Sequence, residues 1–318
     1  SRKPAPNPEA RARAQPESPQ QPAMLCAGSI EPELRVLPDK NAIVEPLREF
    51  VAAAAEDAVA RRGYFAVALS GGSMVKLLSA AILGGAAPLD ISSWKVFFAD
   101  ERFVAPDDAD STYGGYKSAL FDKIGAAVFA IDDTMELDNC AADYESRVRA
   151  EVGAAEDGAV PQFDLVLLGM GPDGHTASLF PGHALLSEAE RLIAPISDSP
   201  KPPPQRVTMT LPLLLAASQV AFVATGGSKA PILQAALPSY AAEPTETMVR
   251  PKSSHPLDLH PNPSPEPRPE ASHPLCPHPR PVAPSPTRKA YPVEHVRPAS
   301  GRLTFFLDAA AAQGSAEL

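Results

Sequence analysis

Cysteine is scarce in this 318-residue chain: Cys26, Cys140 and Cys276 are the only three. An odd number, with Cys26 and Cys276 in proline-rich surroundings, makes no disulfide framework of the kind that staples small secreted domains, so a reducing compartment is expected. Long apolar runs are missing too. No stretch approaches the ~18 residues of a membrane span, while 44% hydrophobic residues suffice for a sizeable core. Positive charge is in deficit, with 28 Lys and Arg against 38 Asp and Glu for a net charge of −10. That balance disfavours general binding to nucleic-acid phosphates, and an anionic ligand must find a local basic pocket against the overall field. No internal repeat of 20 to 50 residues is visible.

Proline is the opposite case. There are 38, of which fifteen fall in 238–290 and six in the first 22 residues. Residues 1–28 have almost no apolar periodicity and read as a disordered tail. Their arginine content also suits an organelle transit-peptide remnant, although Glu9 and Glu17 do not. The expected compartment is the cytoplasm, or a plastid if the tail is such a remnant. From Pro238 to Ala290 proline recurs as often as every second residue (Pro261, Pro263, Pro265, Pro267, Pro269). This removes backbone donors and forbids helix and central strand, so 238–290 is expected to be a disordered insert. One domain is left, made of residues 29–237 and 291–318. The insert's histidines lack metal-ligand spacing, and zinc is not expected.

Between these stretches two periodicities alternate. Leu34–Leu37 reads as a strand, and Ala42–Arg62 as a helix stopped by Gly63. Tyr64–Leu69 is a buried strand closed by Ser70-Gly71-Gly72-Ser73 and followed by a helix to Leu83. The scheme continues with strands at Trp94–Ala99, Val128–Ile131, Phe163–Leu168, Leu192–Ile196, Arg206–Thr210 and Val220–Thr225. Helices are expected at Ser111–Ile124, Asn139–Val152, Pro212–Ala217 and Lys229–Leu237. Strand-like runs return at Val293–Val296 and Leu303–Leu307, before a terminal helix at Ala309–Ala312. Fully apolar strands alternating with helices predict an α/β fold: a doubly wound, mostly parallel, Rossmann-like sheet with helices on both faces.

In such sheets ligands bind at the carboxyl ends of the strands. Ser70, Gly71 and Gly72 form a strand-to-helix turn whose free N–H groups suit an anion. Asp100-Glu101-Arg102 places three charges directly after a buried strand, where Arg102 could fork onto a phosphate or carboxylate and the acids could orient it or bind sugar hydroxyls. Gly169-Met170-Gly171-Pro172-Asp173-Gly174-His175 imitates a dinucleotide fingerprint, with Asp198 at roughly the distance of a ribose-binding acid. Pro181-Gly182 would stop the following helix after about one turn, against that reading. As an Asp-x-His pair, Asp173 and His175 offer a general base and the carboxylate that fixes its tautomer. His183 reads as structural. Lys229, at a glycine turn opening a helix, is a candidate phosphate binder, and Arg206 faces either the same crevice or the surface.

Taken in order, Ala68-Leu69-Ser70-Gly71-Gly72-Ser73, Phe98-Ala99-Asp100-Glu101-Arg102, Asp110-Ser111-Thr112-Tyr113, the Gly169–Gly182 block, Arg206–Thr210 and Gly227-Ser228-Lys229-Ala230 resemble the 6-phosphogluconolactonases. The resemblance covers about Leu34 to Leu237 and resumes near Tyr291; the insert is its main departure. It implies hydrolysis of 6-phospho-D-glucono-1,5-lactone without a cofactor, on a fold shared with glucosamine-6-phosphate deaminases. His175 would then be the general base and Asp173 its orienting carboxylate. Lys229, Arg102 and the Gly71-Gly72 backbone would be phosphate and sugar-acid contacts, with Arg206 a further candidate. The expected partner is a small sugar-phosphate lactone, with no nucleic acid, no membrane and a monomeric chain. The rivals are a sugar-phosphate isomerase or deaminase, a nicotinamide oxidoreductase and a non-catalytic sugar-phosphate binder. Deaminases resembling this fold carry a different acid set around their histidine.

Overall fold

The computed structural model describes residues 32–153, 159–237, 291–298 and 301–313; the tail and the insert expected from sequence lie outside them. β1 (Glu33–Leu37) precedes α1 (Val44–Arg62), which stops at Gly63 with φ 80° and its N–H on Val59 O at 2.8 Å. That left-handed stop is open to glycine at little cost. β2 (Phe65–Leu69) is buried at every position and feeds α2 (Ser73–Leu83). Its alternation assigns the two layers. Phe65, Val67 and Leu69 pack with α1 and α2, whereas Ala66 and Ala68 face the opposite side. That other layer is built by α4 (Leu137–Val152), α5 (Leu211–Ala216) and α6 (Ala230–Ala236).

The remaining sheet strands are β3 (Trp94–Phe98), β5 (Ala127–Val128), β6 (Leu165–Gly169), β9 (Gln219–Ala224) and β10 (Arg302–Asp308). All seven pair in parallel, in the order β1-β10-β9-β6-β2-β3-β5. The chain winds outward in one direction from β2 and in the other from β6. The crevice between these two neighbours is therefore the topological switch point.

The sequence expectation needs correction at several elements. The runs 192–196 and 206–210 do form strands, β7 (Ile193–Ile196) and β8 (Arg206–Met209), but they leave the parallel sheet. With β4 (Asp100–Arg102) they make a separate antiparallel sheet of order β4-β8-β7. The 197–205 connection is too short for the crossover of a dozen or more residues that parallel neighbours require. The helix expected over Ser111–Ile124 is one α-helical turn, α3 (Thr112–Tyr116), which widens into a π-helical turn at Lys117–Phe121. The run 293–296 is a helical turn, α7 (Pro292–His295), because Pro292 sits at a first-turn position where its missing N–H costs nothing. Residues 309–312 form turns, and the strand expected at 128–131 is reduced to Ala127–Val128 at the sheet edge.

Candidate active site

Loops leaving the carboxyl ends of β2, β3, β6 and β9 surround one open cleft, about 650 Å³ of space including its mouth. Ser70, Gly71, Gly72, Asp100, Arg102, His175, Arg206 and Lys229 all line it, whereas Glu101 and Asp173, the latter in contact with His175, do not.

At the β2 end, Ser70 N–H continues the ladder to Leu167 O at 2.9 Å, and Gly72 turns with φ 66° so that α2 starts at the cleft. A Cβ on Gly71 would lie 2.6 Å from Thr112 Oγ1, so only glycine lets the backbone pass there. Among the described residues no side chain caps α2, leaving its first N–H groups available to an anion at the positive end of the helix.

After β6 the chain does not enter a helix. Gly171 N–H bonds His175 O at 2.8 Å, Gly174 has φ 80°, Ala177 has φ 47°, and Thr176 bridges Leu179. This excludes the dinucleotide fingerprint, which needs a long helix here, and corrects the expected single helical turn. Asp198, its proposed ribose acid, instead meets His183 Nε2 at 3.1 Å, while His183 Nδ1 accepts from Leu185 N–H at 3.2 Å; His183 is structural. The folded loop holds His175 Nδ1 2.5 Å from Asp173 Oδ1. A side chain at Gly171 would collide with both. With Nδ1–H on the carboxylate, Nε2 is the basic nitrogen, and it has no hydrogen-bond partner among the described residues. Burial holds the imidazole below its ordinary pKa, against the pull of Asp173, so it is neutral at physiological pH. Burial works to raise the Asp173 carboxyl, but the hydrogen bonds from His175 and Lys201 outweigh it and leave it below its usual value.

The other side of the cleft is cationic. Arg206 is buried, donating to Lys201 O and Pro202 O at 3.0 Å each, to Pro203 O at 3.1 Å and to Ser178 Oγ at 3.3 Å. The sequence left this arginine between crevice and surface; it lines the crevice. Arg102 donates to Asp110 O at 2.7 Å, and neither arginine is ion-paired to a carboxylate among the described residues. Asp100 is buried and accepts from Ser178 Oγ at 2.8 Å. Lys229 follows the β9 turn, its pKa lowered by burial and then by the charge of Lys201.

Glu101 is not a ligand-facing acid. It is buried, and its carboxyl accepts N–H groups of Arg102, Thr112 and Tyr113 at 2.7–2.8 Å, which caps α3 and ties β4 to it. Sequence reasoning missed Lys201, whose Nζ lies 3.0 Å from Asp173 Oδ1 and 3.2 Å from His175 Nδ1. Its setting, Ser199-Pro200-Lys201-Pro202-Pro203-Pro204, has no periodicity and follows no buried strand directly. Among the described residues no group of three or more His, Cys, Asp or Glu side chains gathers to hold a metal, and no helix is long and apolar enough to cross a membrane.

A switch-point cleft holding an imidazole–carboxylate pair opposite cations that no carboxylate pairs among the described residues defines an α/β enzyme for a small anionic substrate. Residues 38–256 match the model of the family described as glucosamine-6-phosphate isomerases/6-phosphogluconolactonase. The chain is 47% identical over 198 residues to a 6-phosphogluconolactonase of Rattus norvegicus, covering 60% of this chain and 76% of that protein. To a probable 6-phosphogluconolactonase of Drosophila melanogaster it is 45% identical over 208 residues, 63% and 82% of the two chains. The fold is that of the Leishmania guyanensis 6-phosphogluconolactonase, with a TM-score of 0.67 over 90% of this chain and 99% of that one at 24% identity. The chain belongs to the glucosamine-6-phosphate isomerase/6-phosphogluconolactonase family.

Proposed function

We propose that the chain hydrolyses 6-phospho-D-glucono-1,5-lactone to 6-phospho-D-gluconate, the lactone-opening step of the oxidative pentose phosphate pathway. The observation that carries this reading is the His175–Asp173 pair, its Nε2 without a hydrogen-bond partner among the described residues, beside a cleft lined by Arg102, Arg206 and Lys229.

His175 Nε2 takes a proton from water as the oxygen adds to the lactone carbonyl, giving a tetrahedral oxyanion and an imidazolium held by Asp173. The oxyanion collapses with cleavage of the ring C–O bond, and the imidazolium returns its proton to the departing alkoxide. Base and acid are thus one group used twice, and no electrons leave the substrate. Arg102, Arg206 and Lys229, with the N–H groups of the Gly71-Gly72 turn, grip the phosphate and the sugar-acid oxygens. The family also contains isomerases, which open a hemiacetal ring and shift a proton between adjacent carbons. The two readings are separated by following proton release from freshly made lactone, corrected for spontaneous hydrolysis, alongside release of ammonia or ketose from glucosamine 6-phosphate. Hydrolysis without the second reaction supports the lactonase; the reverse result overturns it.

A further inference from the structure

We propose that Lys201 is a positioning residue that neutralises Asp173, so that the carboxylate orients His175 while the base stays unprotonated at neutral pH. The inference rests on His175 as the base. It stands on a geometry that this role does not require.

A carboxylate 2.5 Å from an imidazole orients it, but by itself also stabilises the imidazolium. A base for lactone opening needs the orientation without being lost to protonation. Lys201 Nζ reaches the same Asp173 oxygen at 3.0 Å and lies 3.2 Å from His175 Nδ1, so the histidine meets an ion pair with little net charge. The other charged groups around this cluster are Asp100 on β4, which favours the imidazolium, and Lys229 after β9, coupled to both Lys201 and Asp173. Burial against Phe180, whose ring centroid is 4.9 Å away, adds to the bias towards neutral imidazole.

The loop is built to deliver this ammonium. Ser199 Oγ donates to Lys201 O at 2.8 Å, Lys201 N–H returns to Ser199 Oγ at 3.3 Å, and Ser199 N–H closes on Pro204 O at 3.1 Å. Arg206 then clamps the carbonyls of Lys201, Pro202 and Pro203 from the cleft side. The backbone is anchored by these bonds, which leaves the side chain free of any need to hold the loop. The guanidinium that lines the cleft thereby also fixes the lysine that tunes the base.

The test is an NMR titration of the His175 ring in the full chain, its signal assigned by its loss in His175→Asn. Lys201→Met should raise the His175 midpoint by about one pH unit, the scale of a neighbouring like charge. Turnover at pH 6 should then fall several-fold more than at pH 8. Lys201→Arg, which keeps the charge, should return the midpoint towards wild type. A midpoint unmoved in Lys201→Met, or moved equally in Lys201→Arg, overturns the proposal. If the methionine variant does not fold, Lys201→Gln reads the same charge effect. The catalytic reading is judged separately: an active His175→Asn enzyme would remove the base assignment and leave the titration result standing.

Discussion

Arg102 and Arg206 are direct partners across the antiparallel β4–β8 pair, two like charges face to face with no carboxylate ion-paired to either among the described residues. Like charges directly opposite are destabilising, so the pairing costs stability that a bound dianion would return. Arg102→Ala and Arg206→Ala should each lose a charge-assisted contact of roughly 1.5–3 kcal/mol, or 10- to 150-fold in kcat/KM for the phosphorylated lactone. Little should be lost for the unphosphorylated one. Arg206→Ala should also lower Tm, because it strands the carbonyls of 201–203, whereas Arg102→Ala should not. An unchanged preference for phosphate in both variants places the phosphate elsewhere.

His175→Ala should lower turnover by about 10² to 10⁴, the usual contribution of a general base, with product affinity retained. Asp173→Asn should also lower turnover, since an amide no longer fixes the Nδ1–H tautomer. Calorimetric binding of 6-phosphogluconate beside the kinetic assay separates loss of chemistry from loss of binding, and near-normal turnover in the alanine variant refutes the role.

Burial gives a base and an acid opposite pH signatures, in each case against the group's hydrogen bonds. The native His175 titrates below its unfolded value, near 6.5, so the unfolded chain binds the extra proton and stability from this group falls as pH drops through that value. Burial raises the Glu101 carboxyl to about 7 from 4.5, against its three N–H donors. Its contribution is fully present below 4.5 and lost as pH rises through 7. The Tm of Glu101→Gln minus that of wild type should therefore become more favourable to the variant from pH 5 to pH 8. A difference that is flat with pH shows that Glu101 is ionised throughout.

Replacing residues 238–290 by a Gly-Ser linker of about ten residues, which reaches at most ~36 Å, should leave activity unchanged and Tm equal or higher. Tyr291 must be kept. Its ring lies against Gly174, between Asp173 and His175, so closely that a Cβ on that glycine would strike it. Loss of activity on deletion would show that the removed residues support the cleft, and limited proteolysis of the intact chain should cut first between 238 and 290.

What was legible in the sequence follows from what each signal measures. Strands buried on both faces, such as Phe65–Leu69 and Val220–Ala224, announce themselves as apolar runs, and the turns at their ends marked Gly71, His175 and Lys229 by position. Sheet membership carries no such mark: Ile193–Ile196 reads like any buried strand, and only the length of the following connection argues against parallel pairing. Lys201 was invisible because its role depends on where Arg206 pulls a proline-rich loop. Glu101 was placed correctly and misread, since a carboxylate after a strand looks the same whether it meets a ligand or three backbone N–H groups.

Among the described residues β1 has one partner in the sheet, β10, and β10 separates it from β9. Synthesis runs from the amino end, so the first strand of the described chain waits on the ribosome for the last. Everything between them, including residues 238–290, must be made before that edge can close. The nascent protein can assemble β2, β3 and β6 early, and with them most of the cleft. Its flank beside β9 remains an open ladder until β10 arrives, which makes that stretch of translation the interval in which a chaperone or another unfinished chain has most to bind.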